Sequence, residues 1–260
     1  MNCFAYAGRR VYYEEHGEGV PLLLLHGNTA TGRMFDPIVP MFAGRFRVIV
    51  PDFLGCGRSD RLEKWPADLW FDWANQVREL CRQLGLEHIS LVGSSGGALA
   101  AVNVALEYPE LVGAVVADSF AGLGSDSGTA EQIRNGRLLA KKNERFREYQ
   151  RSLHGGDWES VFDADTDAVL RHASEMGSYF HRQPEELRVR TLLTGSLEDE
   201  MFPKGHCELL FAEICGRTKL ARAHIFEHGG HPAMLSNMEA FVKLCDSFLA
   251  EAGENPVSGS

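Results

Sequence analysis

Ser95 lies in Gly93-Ser94-Ser95-Gly96-Gly97, and a G-x-S-x-G spacing suits nucleophilic catalysis. A hydroxyl is a weak nucleophile until it is exposed, aimed and paired with a base, and a tight strand-to-helix turn does the aiming. The flanks have the composition such a turn needs. His88-Ile89-Ser90-Leu91-Val92 reads as a short buried strand. Ala98 to Leu106 is alanine- and valine-rich and reads as a helix buried nearly all round.

A serine nucleophile needs a base, and the base needs an acid to fix its tautomer and stabilise its cation. Of the ten histidines, His231 has the best context: it follows the last apolar strand through Gly229-Gly230 and precedes the C-terminal helix. His228 is expected at the strand end, in packing or solvent, and His26 is expected to hold loops by hydrogen bonds. The acid belongs on the loop after the penultimate strand, where Glu198 and Asp199 are adjacent, or at Asp118, which ends the strand after the Ala98 to Leu106 helix. Spacing leaves all three open. The backbone N–H groups of Gly96 and Asn28 are the candidate donors to a developing oxyanion.

These groups must be positioned by alternating strands and helices, the pattern of a mostly parallel central sheet with helices on both faces. Val11–His16 reads as an edge strand, and Val20–His26 and Phe46–Pro51 as central strands, with a helical block at about Thr31–Phe42. Pro66 is expected to open a helix striped by Trp70, Ala74, Val77, Leu80, Cys81 and Leu84 and closed by Gly85. Leu111–Asp118, Val189–Gly195 and Ala221–Glu227 supply further strands. A final helix carries Met238, Phe241, Cys245 and Phe248 on one face, and the tail from Gly253 is expected to fray.

The alternation stops between residues 121 and 188. That span reads as a helical cap inserted into a core formed by 1–120 and 189–260, with stripes at Leu139, Phe146, Tyr149 and Leu153 and at Val169, Ala173, Met176 and Phe180. An insertion at the carboxyl ends of the strands would roof a ligand pocket, with Trp158, Phe162 and Tyr179 as candidate lining residues.

A formal net charge of -10 at pH 7 argues against nucleic acid as a partner, since that surface needs clustered Lys and Arg. A small-molecule substrate is easier to accommodate. The longest apolar run, Val20–Leu25, is far short of the roughly 18 residues a membrane helix needs. The first ten residues lack an extended apolar core, so the cytoplasm is the expected compartment. The six cysteines, Cys3, Cys56, Cys81, Cys207, Cys215 and Cys245, have no metal-ligand spacing and suggest no disulfide framework. Cys56, in a glycine-rich loop, reads as a small side chain in a tight turn rather than a reactive thiol. No metal or cofactor is expected, and either a monomer or a homodimer fits.

Taken together, Leu25-His26-Gly27-Asn28, the run Pro51 to Asp60, Gly93 to Gly97, Gly195 to Pro203 and Gly230-His231-Pro232 resemble the α/β-hydrolase fold superfamily, in its capped, cofactor-independent serine-hydrolase branch. They occur in that family's order and cover most of the chain outside the cap. The resemblance implies a Ser95, Asp199, His231 triad, with one departure: Glu198 adds a residue before the expected acid and keeps the Glu198 or Asp199 choice open. It implies that the loop from Pro51 to Asp60 supports the site's rim, with Arg58, Ser59 and Asp60 structural.

The activity it implies is acyl-enzyme hydrolysis of a small carboxylic ester, thioester, lactone or amide. Carbon-carbon bond hydrolysis of a diketone-like substrate and a slow-turnover ligand receptor are the alternatives, because fold does not fix function. Dehalogenase or epoxide-hydrolase relatives present a carboxylate where this chain has Ser95.

Overall fold

The computed structural model describes residues 2–254. In chain order its elements are β1 (Asn2–Tyr6), β2 (Arg9–His16), β3 (Val20–Leu25), α1 (Val39–Phe42), β4 (Phe46–Pro51), α2 (Leu69–Leu84), β5 (Ile89–Ser94), α3 (Gly96–Glu107) and β6 (Val112–Asp118). Then come α4 (Ser127–Ala140), α5 (Glu144–His154), α6 (Trp158–Glu175), β7 (Arg190–Ser196), α7 (His206–Arg217), β8 (Ala221–Phe226), α8 (Ala233–Ser236) and α9 (Met238–Glu254). The strands form one sheet in the order β1-β2-β4-β3-β5-β6-β7-β8. β1, β2 and β4 pair antiparallel, and every pairing from β4 to β8 is parallel.

The central strands are apolar throughout because both faces of the sheet are covered. In β3, Leu23 and Leu25 pack with Trp73, Ala98 and Leu99 on one face, while Leu22 and Leu24 pack with Phe241, Cys245 and Phe248 on the other. The period of two along a strand divides these leucines between two cores. α3 is buried from Gly96 to Leu106, as its composition requires.

Several boundaries differ from the sequence reading, each for a local reason. The edge strand is β1 rather than Val11–His16, which is the second strand in from that edge. The Thr31–Phe42 block is a single turn of 3-10 helix, Gly32–Phe35, followed by the single turn α1, because Pro37 and Pro40 remove the N–H groups a continuous helix would use. α2 begins at Leu69, not at Pro66: its first helical bond runs from Asp72 N to Asp68 O at 3.0 Å. It ends, as expected, at Gly85 with a left-handed φ of 62°. At the other end of the chain α9 continues through Gly253 and Glu254. The rest of the tail expected to fray lies outside the described residues.

Between β6 and β7 the chain makes α4, α5 and α6 with no strand of its own, apart from an isolated bridge between Gly124 and Ser178. The first expected stripe is split. Asn143 caps α5 by accepting from Phe146 N, so Leu139 lies on a separate helix and is 64% exposed, and Tyr149 is half exposed. In the second, Met176 is exposed at the end of α6, while Phe180, beyond the helix, is buried. The buried face of α6 is instead Trp158, Val161, Phe162, Asp165, Ala168, Val169 and His172. Among the described residues, no helix is long and apolar enough to cross a membrane.

Candidate active site

The parallel order places the ends of β3, β5, β6, β7 and β8 side by side, and each end leads directly into a residue with chemistry. Asn28 follows β3, Ser95 follows β5, Asp118 ends β6, Asp199 follows β7 and His231 follows β8.

Ser95 has φ 55° and ψ -118° at the N-terminus of α3, an uncommon conformation for a residue with a Cβ. The surroundings over-determine it. A Cβ on Gly93 would lie 2.2 Å from Gly97 O, and one on Gly97 would lie 2.0 Å from Leu25 O. Only glycine lets the strand, turn and helix approach so closely. The Ser95 N–H donates to Asp118 O at 2.8 Å, so the turn is tied to the next strand.

His231 Nδ1 stands 2.9 Å from Asp199 Oδ2, and both side chains are largely buried. Glu198 is turned elsewhere, accepting from Gly229 N at 3.0 Å and meeting His228 Nδ1 at 3.2 Å. His228 itself is solvent-exposed. Asp118 does not bond His231. Its carboxylate accepts from Thr194 Oγ1 at 2.7 Å and Met234 N at 3.0 Å, and Ser119 Oγ accepts from Ala233 N at 2.9 Å. The end of β6 therefore holds both the turn at Ser95 and the segment just after His231. Burial pushes the Asp118 carboxyl up to about 7, against those hydrogen bonds and the nearby His231, which pull it down.

His26 is fully buried, with Nδ1 2.8 Å from Gly27 O and Nε2 accepting from Phe53 N at 3.0 Å. Its Nδ1–H therefore donates to Gly27, and burial lowers its pKa, keeping the ring neutral. In the loop after β4, Asp52 accepts from Gly32 N and Arg58 N, Ser59 bonds Tyr12 N, and Asp60 bonds Arg10 N. Cys56 is buried and its thiol is pushed well up by desolvation, the opposite of a reactive thiolate.

Gly96 and Asn28 are in close contact. A Cβ on Gly96 would lie 2.1 Å from Asn28 Oδ1 and 2.7 Å from Trp70 Nε1. The Asn28 side chain is held at both ends: its oxygen accepts from Trp70 Nε1 at 3.1 Å and its nitrogen donates to Asp165 Oδ2 at 2.9 Å. Trp158 and Phe162, on α6, pack against each other, and Phe162 packs against Phe146 on α5. Tyr179 packs edge-on to Trp70 and stacks on His172, one residue removed from Asn28. A surface groove of about 440 Å³ between Tyr6, Trp65 and Arg171 includes none of Ser95, Asp199, His231, Asn28 and Gly96.

Sequence reasoning missed Glu200, which accepts from His231 N at 3.1 Å, and Trp70, Asp165 and His154, which reach the loop after β3. Asp165 carried a faint signal, as a carboxylate on the largely apolar buried face of α6, whereas Trp70 reads only as one more member of the α2 stripe.

The Alpha/beta hydrolase family profile matches residues 22–244. The chain belongs to that family. This hydrolase is 30% identical over 276 residues to the 2-hydroxymuconate semialdehyde hydrolase of Pseudomonas putida, with 95% of this chain and 92% of that protein covered. It is 28% identical over 279 residues to the protein of the same name from Pseudomonas sp. (strain CF600), covering 97% and 94%. Among solved structures it shares the fold of the enol-lactonase from Burkholderia xenovorans LB400, with a TM-score of 0.72 at 19% identity, covering 96% of this chain and all of that one.

Proposed function

We propose that this hydrolase cleaves a small-molecule carboxylic ester, thioester, lactone or amide through an acyl-enzyme on Ser95. The observation that carries the reading is the 2.9 Å approach of His231 Nδ1 to Asp199 Oδ2, in loops that leave the carboxyl ends of the same parallel strands as the positive-φ turn at Ser95. With Nδ1–H given to Asp199, the His231 Nε2 lone pair takes the Ser95 proton as Oγ attacks the substrate carbonyl carbon. The carbonyl oxygen becomes an oxyanion, received by the N–H groups of Asn28 and Gly96. His231 then protonates the leaving group, the carbonyl re-forms, and water repeats the sequence to release the acid and free Ser95.

Carbon-carbon bond hydrolysis is the second reading, favoured by full-length similarity to the two 2-hydroxymuconate semialdehyde hydrolases. It uses the same groups, except that the departing fragment leaves from carbon and needs a neighbouring carbonyl to hold its charge. Reaction with a fluorophosphonate probe, then turnover of p-nitrophenyl esters of increasing acyl length against a vinylogous diketone, tests both. The expected result is labelling of the intact protein, abolished by Ser95→Ala, with esters turned over faster. Faster diketone turnover selects the second reading, and absence of labelling overturns both.

A further inference from the structure

The loop that carries Asn28 is fixed by residues of the insertion as well as by the core. Asp165, on the inner face of α6, is fully buried. Its Oδ2 accepts from Asn28 Nδ2 at 2.9 Å and from Thr29 N at 3.2 Å, while its Oδ1 lies 2.7 Å from Arg137 Nη1 on α4. The next peptide group is held from the same side: His154, at the end of α5, places Nε2 3.2 Å from Thr29 O, and its Nδ1 accepts from Gly57 N at 3.0 Å. Thr29 has a φ of 58°, a conformation a β-branched residue avoids unless its neighbours impose it. Here both of its backbone polar groups are bonded by inserted helices. Trp70 on α2 closes the arrangement by donating to Asn28 Oδ1.

We propose that Asp165 is a positioning residue for the oxyanion site: docking of the insertion, through this carboxylate, sets the orientation of the Asn28 peptide N–H. The proposal rests on the reading of that N–H as an oxyanion donor. The physical reason is preorganisation. A donor stabilises developing charge only if it is already aimed when the charge appears, and a loop with a strained residue beside the donor keeps its aim only while its other bonds hold. Arg137, 2.7 Å from Oδ1, occupies that oxygen and leaves Oδ2 to accept from both Asn28 Nδ2 and Thr29 N.

The test uses the full chain with p-nitrophenyl acetate and its thiono counterpart, in which sulfur replaces the carbonyl oxygen and is a poor acceptor for aligned N–H groups. Asp165→Asn and Asn28→Ala are each expected to lower kcat on the oxo ester about 10- to 100-fold with KM within about threefold. Each is also expected to narrow the preference for oxo over thiono ester, and the double variant should be about as slow as the slower single one. Unchanged kcat, a loss of kcat with the oxo/thiono preference intact, or additive losses in the double variant would overturn the positioning role. Asn28→Ala leaves no buried charge unpaired and decides the matter on its own if Asp165→Asn does not fold. A wild type inert to both the ester and a fluorophosphonate overturns the hydrolase reading itself, and the positioning role with it. A reactive wild type with indifferent variants overturns the positioning role alone.

Discussion

Glu198 and Asp199 are adjacent in sequence yet hold different partners: Asp199 Oδ2 meets His231 Nδ1 at 2.9 Å, while Glu198 bonds Gly229 N and His228. Asp199→Asn would present an amide where the imidazole needs an acceptor and turn the ring to the wrong tautomer. The expected loss in kcat on an aryl ester is about 10,000-fold. Glu198→Gln keeps an acceptor for Gly229 N and should stay within about threefold. Steady-state kinetics of the two variants side by side checks the assignment, and reversed magnitudes would refute it.

Gly96→Ala should remove activity without unfolding the chain. The new methyl would meet Asn28 Oδ1 at 2.1 Å and Trp70 Nε1 at 2.7 Å, displacing the groups beside the proposed oxyanion site. A loss of at least about 100-fold in kcat/KM is expected, the scale of one lost donor, with the circular dichroism spectrum unchanged.

Asp118 makes a prediction about pH. Its carboxyl is pushed from 3.8 up to about 7 by burial, so at intermediate pH it holds a proton in the folded chain that it has lost in the unfolded one. The stability this contributes is fully present below pH 3.8 and is lost as pH rises through about 7. At about 1.4 kcal/mol per unit the swing is on the order of 4 kcal/mol. Urea titrations from pH 4 to 8 should show the wild type losing stability relative to Asp118→Asn as pH rises; a difference independent of pH would contradict the buried-acid assignment.

His26 gives the opposite slope. Its pKa is lowered by burial, so its contribution is present above the ordinary histidine value of 6.5 and is lost as pH falls towards the folded value. His26→Ala leaves Phe53 N–H without its acceptor and opens a void beside the stacked Phe53 and Trp73 rings. The expected cost at pH 8 is about 3 kcal/mol, shrinking as the pH is lowered. Thermal melts across that range measure it.

Much of the frame was legible because its causes are local. The leucines of β3, the glycines around Ser95 and the alanine-rich α3 each state their burial in composition or periodicity. α7 is equally legible: Cys207, Leu210, Phe211 and Ile214 recur at helical spacing on its buried face. From α4 to α6 the apolar stripes are not legible where a helix boundary falls inside them, because Asn143 and Gly177 change the helical phase and a residue count cannot see that.

By itself the sequence determined that a serine sits on a tight turn between a buried strand and a buried helix, and which few histidines and carboxylates could serve it, since turn chemistry and hydrophobic period act between near neighbours in the chain. Tertiary structure alone decided which carboxylate meets His231, that Asp118 anchors the segment after it, and that Asp165 grips the Asn28 loop from 136 and 137 positions away. Hydrogen bonds are set by angstroms between atoms, and those distances exist only after the sheet has brought the strand ends together and α5 and α6 have packed against the loop after β3.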